Sequence, residues 1–404
     1  MIQRDLYLNK IRPLIDNELI KVITGIRRCG KSYMLKLIIE ELKSQGVNEE
    51  NIILINLDDL KHNRIRDYKE LDELVINLTK NIEGKIYLLI DEIQNVNKWE
   101  KSINAYKISL DTDIYITGSN SKLLSGEFAT YLTGRYREIK IYPFSFKEFL
   151  DYKIKENPNL NKNTDINKLF NEYLEYGGMP VTLQLNEDEK LKYLEDLYNS
   201  ILFKDILQRY PIDKIDSLRR VSQYLTINMS NTFSANNISK YFKNNNIKIN
   251  DKTITKYANC IENSCLIIKA KNENIKRKEI LNQNPKYYLA DHGFKLALTN
   301  EYNADKGNII ENIVYLELLR HEYKVTVGKE NNYEIDFIAR KNKEKLYIQV
   351  SYLLNNQDTI KREISPLLKI KDNYPKYLIT MDPINLSQDG IIHINLIDFL
   401  TKFI

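Results

Sequence analysis

The eight residues Gly25–Ser32 constrain this chain more than any other feature. They read GIRRCGKS and fit G-x-x-x-x-G-K-[ST], a glycine-rich turn whose backbone N–H groups cradle phosphates. The β-branched run IKVIT precedes the turn, and the amphipathic helical pattern YMLKLIIEEL follows it. Strand, tight loop and helix N-terminus in that order bring unpaired N–H groups and the positive helix end to one point. Gly25 and Gly30 let the backbone pass close to an anion. Lys31 is expected to reach the β- and γ-phosphates, and the Ser32 hydroxyl to ligate Mg2+. Ile26, Arg27, Arg28, Cys29 and Tyr33 complete the stretch expected to line the nucleotide. Arg27 and Arg28 either add charge near the γ-phosphate or pair with acids elsewhere. Cys29 is expected to fill a small-residue slot, although a thiol there could make the site oxidation-sensitive. The pattern predicts a site for ATP and Mg2+.

About sixty residues downstream comes KIYLLIDEIQ. Ile86–Ile90 is an unbroken apolar run, as in a parallel strand buried on both faces. It ends in Asp91 and Glu92, where open α/β sheets present their functional residues. Asp91 suits a water-mediated contact to Mg2+, and Glu92 suits a base that positions an attacking water. A third strand, DIYITGSNS, ends in Ser119 and Asn120, either of which can hydrogen-bond the γ-phosphate or that water. Arg135 and Arg137 follow in YLTGRYREIKIYPFSF.

The motifs GIRRCGKS, LIDEIQ, ITGSNS, LTGRYREI, PFSFKEF, YGGMP and LFKDI occur in one order along the chain. Together they resemble prokaryotic AAA-type ATPases, relatives of the archaeal signalling-type P-loop ATPases, with an uncharacterised carboxy-terminal region. The resemblance implies ATP hydrolysis and a sensor role for Ser119 or Asn120. It implies that Arg135 acts as an arginine finger, across a subunit boundary or on lid closure, in a homo-oligomer or a nucleotide-dependent assembly. It also implies that Gly177, Gly178 and Pro180 line the adenine pocket. Read from the residues alone, Gly-Gly-x-Pro is a helix stop and a turn.

The fold class expected is α/β: a P-loop core with a parallel sheet over 1–145, then a helical lid over 146–214. A winged-helix module follows over 215–290, then a nuclease-like α/β domain over 291–404. Three helix-length segments and two strand-like runs make the winged-helix pattern, with Ser234 and Asn250 or Asp251 as caps. Lys252, Thr255 and Lys256 would face a DNA groove, and Lys276, Arg277 and Lys278 would meet phosphates. Between Asp216 and Lys286 there are thirteen Lys/Arg against five Asp/Glu, a local excess of +8 in a chain of net +5. That excess fits nucleic acid or a solvated lysine-rich surface.

In the last hundred residues, a helical Glu311, a strand Asp336 and a strand Gln349-Val350-Ser351 follow the layout of PD-(D/E)xK nucleases. There, two carboxylates hold Mg2+ and a lysine positions the water. Here glutamine stands at the third ligand and serine at the lysine, so a nuclease fold without cleavage is expected. Lys361 or Arg362 is the candidate replacement for the lysine.

No apolar run approaches the length of about 18 residues that spans a membrane. The charged amino terminus does not read as a secretory signal, and Cys29, Cys260 and Cys265 have no disulfide or zinc spacing. A cytoplasmic location is expected. The function expected is a DNA-associated ATPase switch or motor. An ATP-gated nuclease and a signalling scaffold acting only on proteins are the alternatives.

Overall fold

The computed structural model describes residues 2–119, 134–160, 162–301, 305–330 and 333–403. Asn120 lies outside the described residues. The chain divides into two packed units, residues 1–142 with 263–265, and residues 143–262 with 266–404.

The first unit is a five-stranded, all-parallel sheet. Its strands are β1 (Ile20–Thr24), β2 (Ile52–Asn56), β3 (Ile86–Asp91), β4 (Thr112–Gly118) and β5 (Tyr136–Lys140). Their order is β2-β3-β4-β1-β5, so β4 separates β1 from β3. Strands β1, β3 and β4 are buried along their whole lengths, as their apolar sequences require. Buried Lys21 is the exception: its ammonium meets the Asp113 carboxylate, which also accepts from the Tyr115 hydroxyl at 2.9 Å. Helix α1 (Asp5–Ile11) precedes the sheet, and the crossover helices are α2 (Lys31–Ser44), α3 (Tyr68–Thr79) and α4 (Trp99–Ser109). Helix α2 buries Met34, Leu35, Leu37, Ile38 and Leu42 at helical spacing. Helix α3 opens with a capping box between Asp67 and Glu70.

The second unit begins with helices α5 (Phe146–Glu156), α6 (Lys162–Tyr176) and α7 (Glu187–Ser200). Three more follow: α8 (Ile215–Ile227), α9 (Ala235–Asn244) and α10 (Asp251–Asn263). Ser234 caps α9 and Asn250 caps α10 through bonds from Asn237 N–H and Thr253 N–H. The hairpin β6 (Ile267–Asn274) and β7 (Glu279–Leu289) is next. Then come α11 (Gly293–Thr299), α12 (Lys306–Arg320), β8 (Lys324–Glu330), β9 (Tyr333–Lys341) and β10 (Glu344–Val350). Helix α13 (Gln357–Leu368), β11 (Lys376–Thr380) and β12 (Ile391–Asn395) complete it. One seven-stranded sheet runs β12-β11-β10-β9-β8-β6-β7.

Residue 290 is therefore not a boundary. The hairpin expected to be a separate wing pairs through β6 with β8, Asn272 opposite Val327. Helix α11, beyond that position, packs on α6, α7 and α8. Helix α12 is buried nearly all round, including Ile310, Ile313, Val314, Leu316 and Leu318, as a helix laid across a sheet must be.

Close approach explains YGGMP within this unit. A Cβ on Gly177 (φ 74°) would sit 1.9 Å from Asp291 Oδ1, and one on Gly178 would sit 2.1 Å from the Phe144 carbonyl oxygen. The Asp291 carboxylate accepts from Gly178 N–H at 2.8 Å and Gly293 N–H at 2.9 Å. His292 Nε2 lies 2.7 Å from the Tyr173 carbonyl oxygen, so that nitrogen carries the proton. Pro180 opens the short helical turn that follows. These glycines thus have a packing role independent of any ligand.

Burial pushes Asp291 up to about 7 and His292 down to about 4. An acid raised by folding stabilises the fold below its unfolded value of 3.8 and loses that contribution as pH rises through about 7. An imidazole lowered by folding contributes above its unfolded value of 6.5 and loses that contribution as pH falls through about 4. The two slopes oppose each other between about pH 4 and 7. Asp291→Asn should therefore leave Tm rising with pH across that window, and His292→Gln should leave it falling. Parallel slopes in the two variants would contradict the assignment.

Candidate nucleotide site

Three chain segments converge at the carboxyl edge of the parallel sheet. Each follows from the strand order, which places the ends of β1, β4 and β3 side by side.

The loop leaves β1 at Gly25 (φ 152°), where a Cβ would lie 2.2 Å from the Ile141 carbonyl oxygen. It passes through Arg28 at φ 66° and enters α2 through Gly30 at φ 105°. The first N–H groups of α2, from Lys31 through Tyr33, have no acceptor within their own helix and form an anion-binding end. Lys31 Nζ donates to the Gly25 and Ile26 carbonyls, both at 3.2 Å, and lies 3.8 Å from Glu92 Oε1. Ile26 is buried, Arg27 half-buried and Arg28 exposed. The Tyr33 hydroxyl donates to the Ile2 carbonyl at 3.4 Å.

Asp91 is buried at the end of β3 and takes hydrogen bonds from the hydroxyls of Ser32 and Thr117. Burial raises its pKa, against those two bonds. Glu92 adopts the left-handed conformation (φ 55°), its N–H donating to Thr117 Oγ1 at 3.0 Å. Its Oε2 accepts from the Gln94 amide and, at 3.5 Å, from the Ser119 hydroxyl. Thr117 thus donates to one acid and accepts from the next. Neither Thr117 nor Gln94 stands out in the sequence. The usable signal was that Thr117 precedes Ser119 by two on the same strand, and so lies on the same face. The Ser32 hydroxyl and the Asp91 carboxylate are hard oxygen donors already in contact, and they fit Mg2+. Arg135 is exposed, its Nη1 3.3 Å from Asn104 Oδ1.

Cys29 corrects the expectation of an oxidation-sensitive thiol. It is fully buried, its Sγ is 3.5 Å from the Ile141 carbonyl oxygen, and burial pushes the thiol pKa up. Nucleophilic chemistry needs an accessible thiolate, which this environment suppresses. Cys260 and Cys265 are buried too. All three thiols of the native protein should react slowly with iodoacetamide and fast after denaturation, read by mass spectrometry; rapid native labelling at Cys29 would contradict this.

The second unit holds the other acidic cluster. Glu311 on α12, Asp336 on β9 and Gln349 on β10 do come together, but around a lysine that the sequence reading missed. Lys286 Nζ on β7 lies 2.9 Å from Glu311, 2.7 Å from Glu334 and 3.8 Å from Asp336. The Tyr288 hydroxyl donates to Glu311 at 2.7 Å. The Asp336 Oδ2 accepts from Val350 N–H at 2.8 Å. Gln349 Nε2 donates to Glu363 at 2.9 Å, and Arg362 pairs with the same glutamate, so neither takes the expected part. An ammonium stands where a divalent ion would need the carboxylates, so this set does not fit a metal. Among the described residues, no group of three or more His, Cys, Asp or Glu is placed to hold one.

The proposed DNA-facing residues are exposed. Lys252, Thr255 and Lys256 lie on one face of α10, where Lys256 Nζ reaches the Pro211 carbonyl at 3.3 Å. Lys276, Arg277 and Lys278 form the β6–β7 turn, with Lys276 paired to Glu330 at 3.4 Å.

A loop of this form, beside two strand-end acids on a parallel sheet, is the arrangement of an AAA-type P-loop core. The family model described as an AAA domain matches residues 17–150, and one for a domain of unknown function matches residues 167–305. An uncharacterised Haemophilus influenzae protein is 40% identical over 404 residues, all of this chain and 99% of its own. An uncharacterised Methanocaldococcus jannaschii protein, MJ1544, is 34% identical over 96% of this chain and 84% of its own. The chain belongs to the family of those two proteins. The Walker-type ATPase PABY2304 of Pyrococcus abyssi has a similar fold, with a TM-score of 0.52 at 18% identity over 74% of this chain and 96% of its own. No helix among the described residues is long and apolar enough to cross a membrane.

Removing Lys286 leaves Glu311 and Asp336 buried without a cation, which typically costs about 3–5 kcal/mol. Lys286→Met should lower stability by that order in chemical unfolding, and adding Glu311→Gln should recover part of it. A Lys286→Met protein as stable as the wild type would show the cluster to be solvated instead.

Proposed function

We propose that this protein binds and hydrolyses ATP and that DNA is the partner on which the nucleotide state acts. The observation that carries the reading is the convergence of Lys31, Ser32, Asp91, Thr117 and Glu92 at one sheet edge. Lys31 is held within the loop on two carbonyl oxygens, from which it can turn to the β- and γ-phosphates. Mg2+, held by Ser32 and Asp91, would neutralise phosphate charge when bound with ATP. Glu92 accepts the proton of the attacking water, the γ-phosphorus bond to the bridging oxygen breaks, and ADP and phosphate leave. Ser119, already bonded to Glu92, orients that carboxylate. Arg135 is exposed, as an arginine supplied to a neighbouring copy must be. The basic face of α10 and the Lys276–Lys278 turn supply exposed cations for a phosphate backbone.

The test is steady-state ATP hydrolysis with and without duplex DNA. Glu92→Gln should lower kcat by about 10²–10⁴, the usual contribution of a positioned base. DNA should stimulate the wild type. Alanine at Lys252, Lys256, Lys276, Arg277 and Lys278 together should remove the stimulation and flatten its salt dependence. Hydrolysis that ignores DNA would overturn the DNA partner, and hydrolysis unaffected by Glu92→Gln would overturn the role of that base.

A further inference from the structure

The phosphate loop turns on one conformationally loose residue. Gly30, at φ 105°, pays no steric cost for either orientation of the peptide that precedes it. A side chain from far upstream fixes that peptide. Arg4, just before α1, is fully buried, and its Nη1 donates to the Cys29 carbonyl oxygen at 3.1 Å. Its Nη2 donates to the Tyr142 carbonyl oxygen at 2.8 Å. The guanidinium lies 4.5 Å from the centroid of the Tyr7 ring, and the Tyr7 hydroxyl accepts from Tyr142 N–H at 3.1 Å.

A trans peptide points its C=O and N–H in opposite directions. With the Cys29 carbonyl turned to Arg4, the Gly30 N–H is turned away from Arg4. It joins the series of N–H groups that opens α2. If the peptide flipped, a carbonyl dipole would replace that N–H, and an anion would be repelled where it is now attracted.

We propose that Arg4 is a positioning residue for phosphate binding, locking the Cys29–Gly30 peptide so that the Gly30 N–H faces the nucleotide's phosphates. The inference rests on the reading of this loop as an ATP site. Arginine suits the task because its planar fork can hold two carbonyls in fixed directions at once, whereas a lysine ammonium is a point donor. A buried hydrophobic residue could dock α1 equally well but could not orient the loop. Because the Gly30 N–H would bind ATP and ADP alike, its loss falls on binding rather than on the chemical step.

The experiment is titration of ADP into the full chain by calorimetry, with Tm measured on the same samples. Arg4→Lys and Arg4→Met are compared with Tyr7→Phe, which loosens the same segment without touching the Cys29 carbonyl. Both Arg4 variants should raise Kd for ADP by about tenfold or more, the size of one charge-assisted hydrogen bond. Arg4→Lys should raise KM for ATP with kcat nearly unchanged. Tyr7→Phe should lower Tm with Kd close to wild type. Wild-type affinity in Arg4→Lys, or an equal loss in Tyr7→Phe at matched Tm, would overturn the proposal. A wild-type protein that binds no ADP would overturn the ATP-site reading itself, and this inference with it.

Discussion

The position of β4 between β1 and β3 is the constraint on which the candidate site depends. Had β3 paired directly with β1, Asp91 would stand beside the loop with no strand to carry Thr117 and Ser119 between them. As it is, the Thr117 hydroxyl joins β4 to both acids, donating to Asp91 and accepting from Glu92 N–H. The left-handed backbone at Glu92 then turns that side chain back toward Lys31. An αL glutamate costs free energy, and here a hydroxyl that cannot serve both acids in any other geometry holds it in place. Lys31, Asp91, Thr117 and Glu92 each bond to another member of the site, and an incoming nucleotide would have to exchange some of those bonds for its own.

What the sequence makes legible follows the range of the interaction. The loop, its strand and its helix lie within about 25 residues, and their signals are local: periodicity, glycine placement and an uninterrupted apolar run. Asp91 and Glu92 are legible because strand ends in parallel sheets point to one edge whatever the strand order. Thr117 was passed over because threonine is an ordinary strand residue, and only the neighbouring strand gives its hydroxyl two partners. Arg4 sits in a charged amino terminus and reads as surface, since burial at a separation of 25 residues leaves no periodic trace. Asp291 meets Gly178 across 113 residues, so YGGMP and ADHGF look like two unrelated turns although they are the two sides of one contact.

The carboxy-terminal sheet shows the same limit with a different outcome. Glu311 and Asp336 meet at Lys286 and Gln349 lies beside Asp336, but the identity of the cation is a tertiary fact. Lys286 lies in a stretch that reads as a wing strand, and its destination is decided when β6 pairs with β8 and the hairpin joins the sheet. One ammonium cannot neutralise both buried carboxylates, Glu311 and Asp336, while it also pairs with half-buried Glu334. Burial accordingly raises the pKa of Glu311 and Asp336, while Lys286 and Lys329 hold Glu334 low. Lys286 thus already occupies oxygens that a divalent ion would need.

Several buried cations of this chain differ in what they hold. Lys21 and Lys286 face carboxylates, Asp113 in the first unit and Glu311, Glu334 and Asp336 in the second, where a compact ammonium suits a charged oxygen approached from any side. Arg4 instead reaches two main-chain carbonyls, those of Cys29 and Tyr142, while Arg320 combines the two, with Nη2 on the Pro143 and Phe144 carbonyls and Nη1 on the Glu317 carboxylate. A carbonyl oxygen carries only a partial charge, so it offsets little of the cost of burying a cation. An arginine placed there is retained for direction, because its rigid fork fixes the two peptides it spans. At Arg4 one of those peptides borders Gly30, the residue of the loop least able to hold an orientation by itself. Fixing a peptide costs entropy during folding, and that cost then need not be met when the anion arrives.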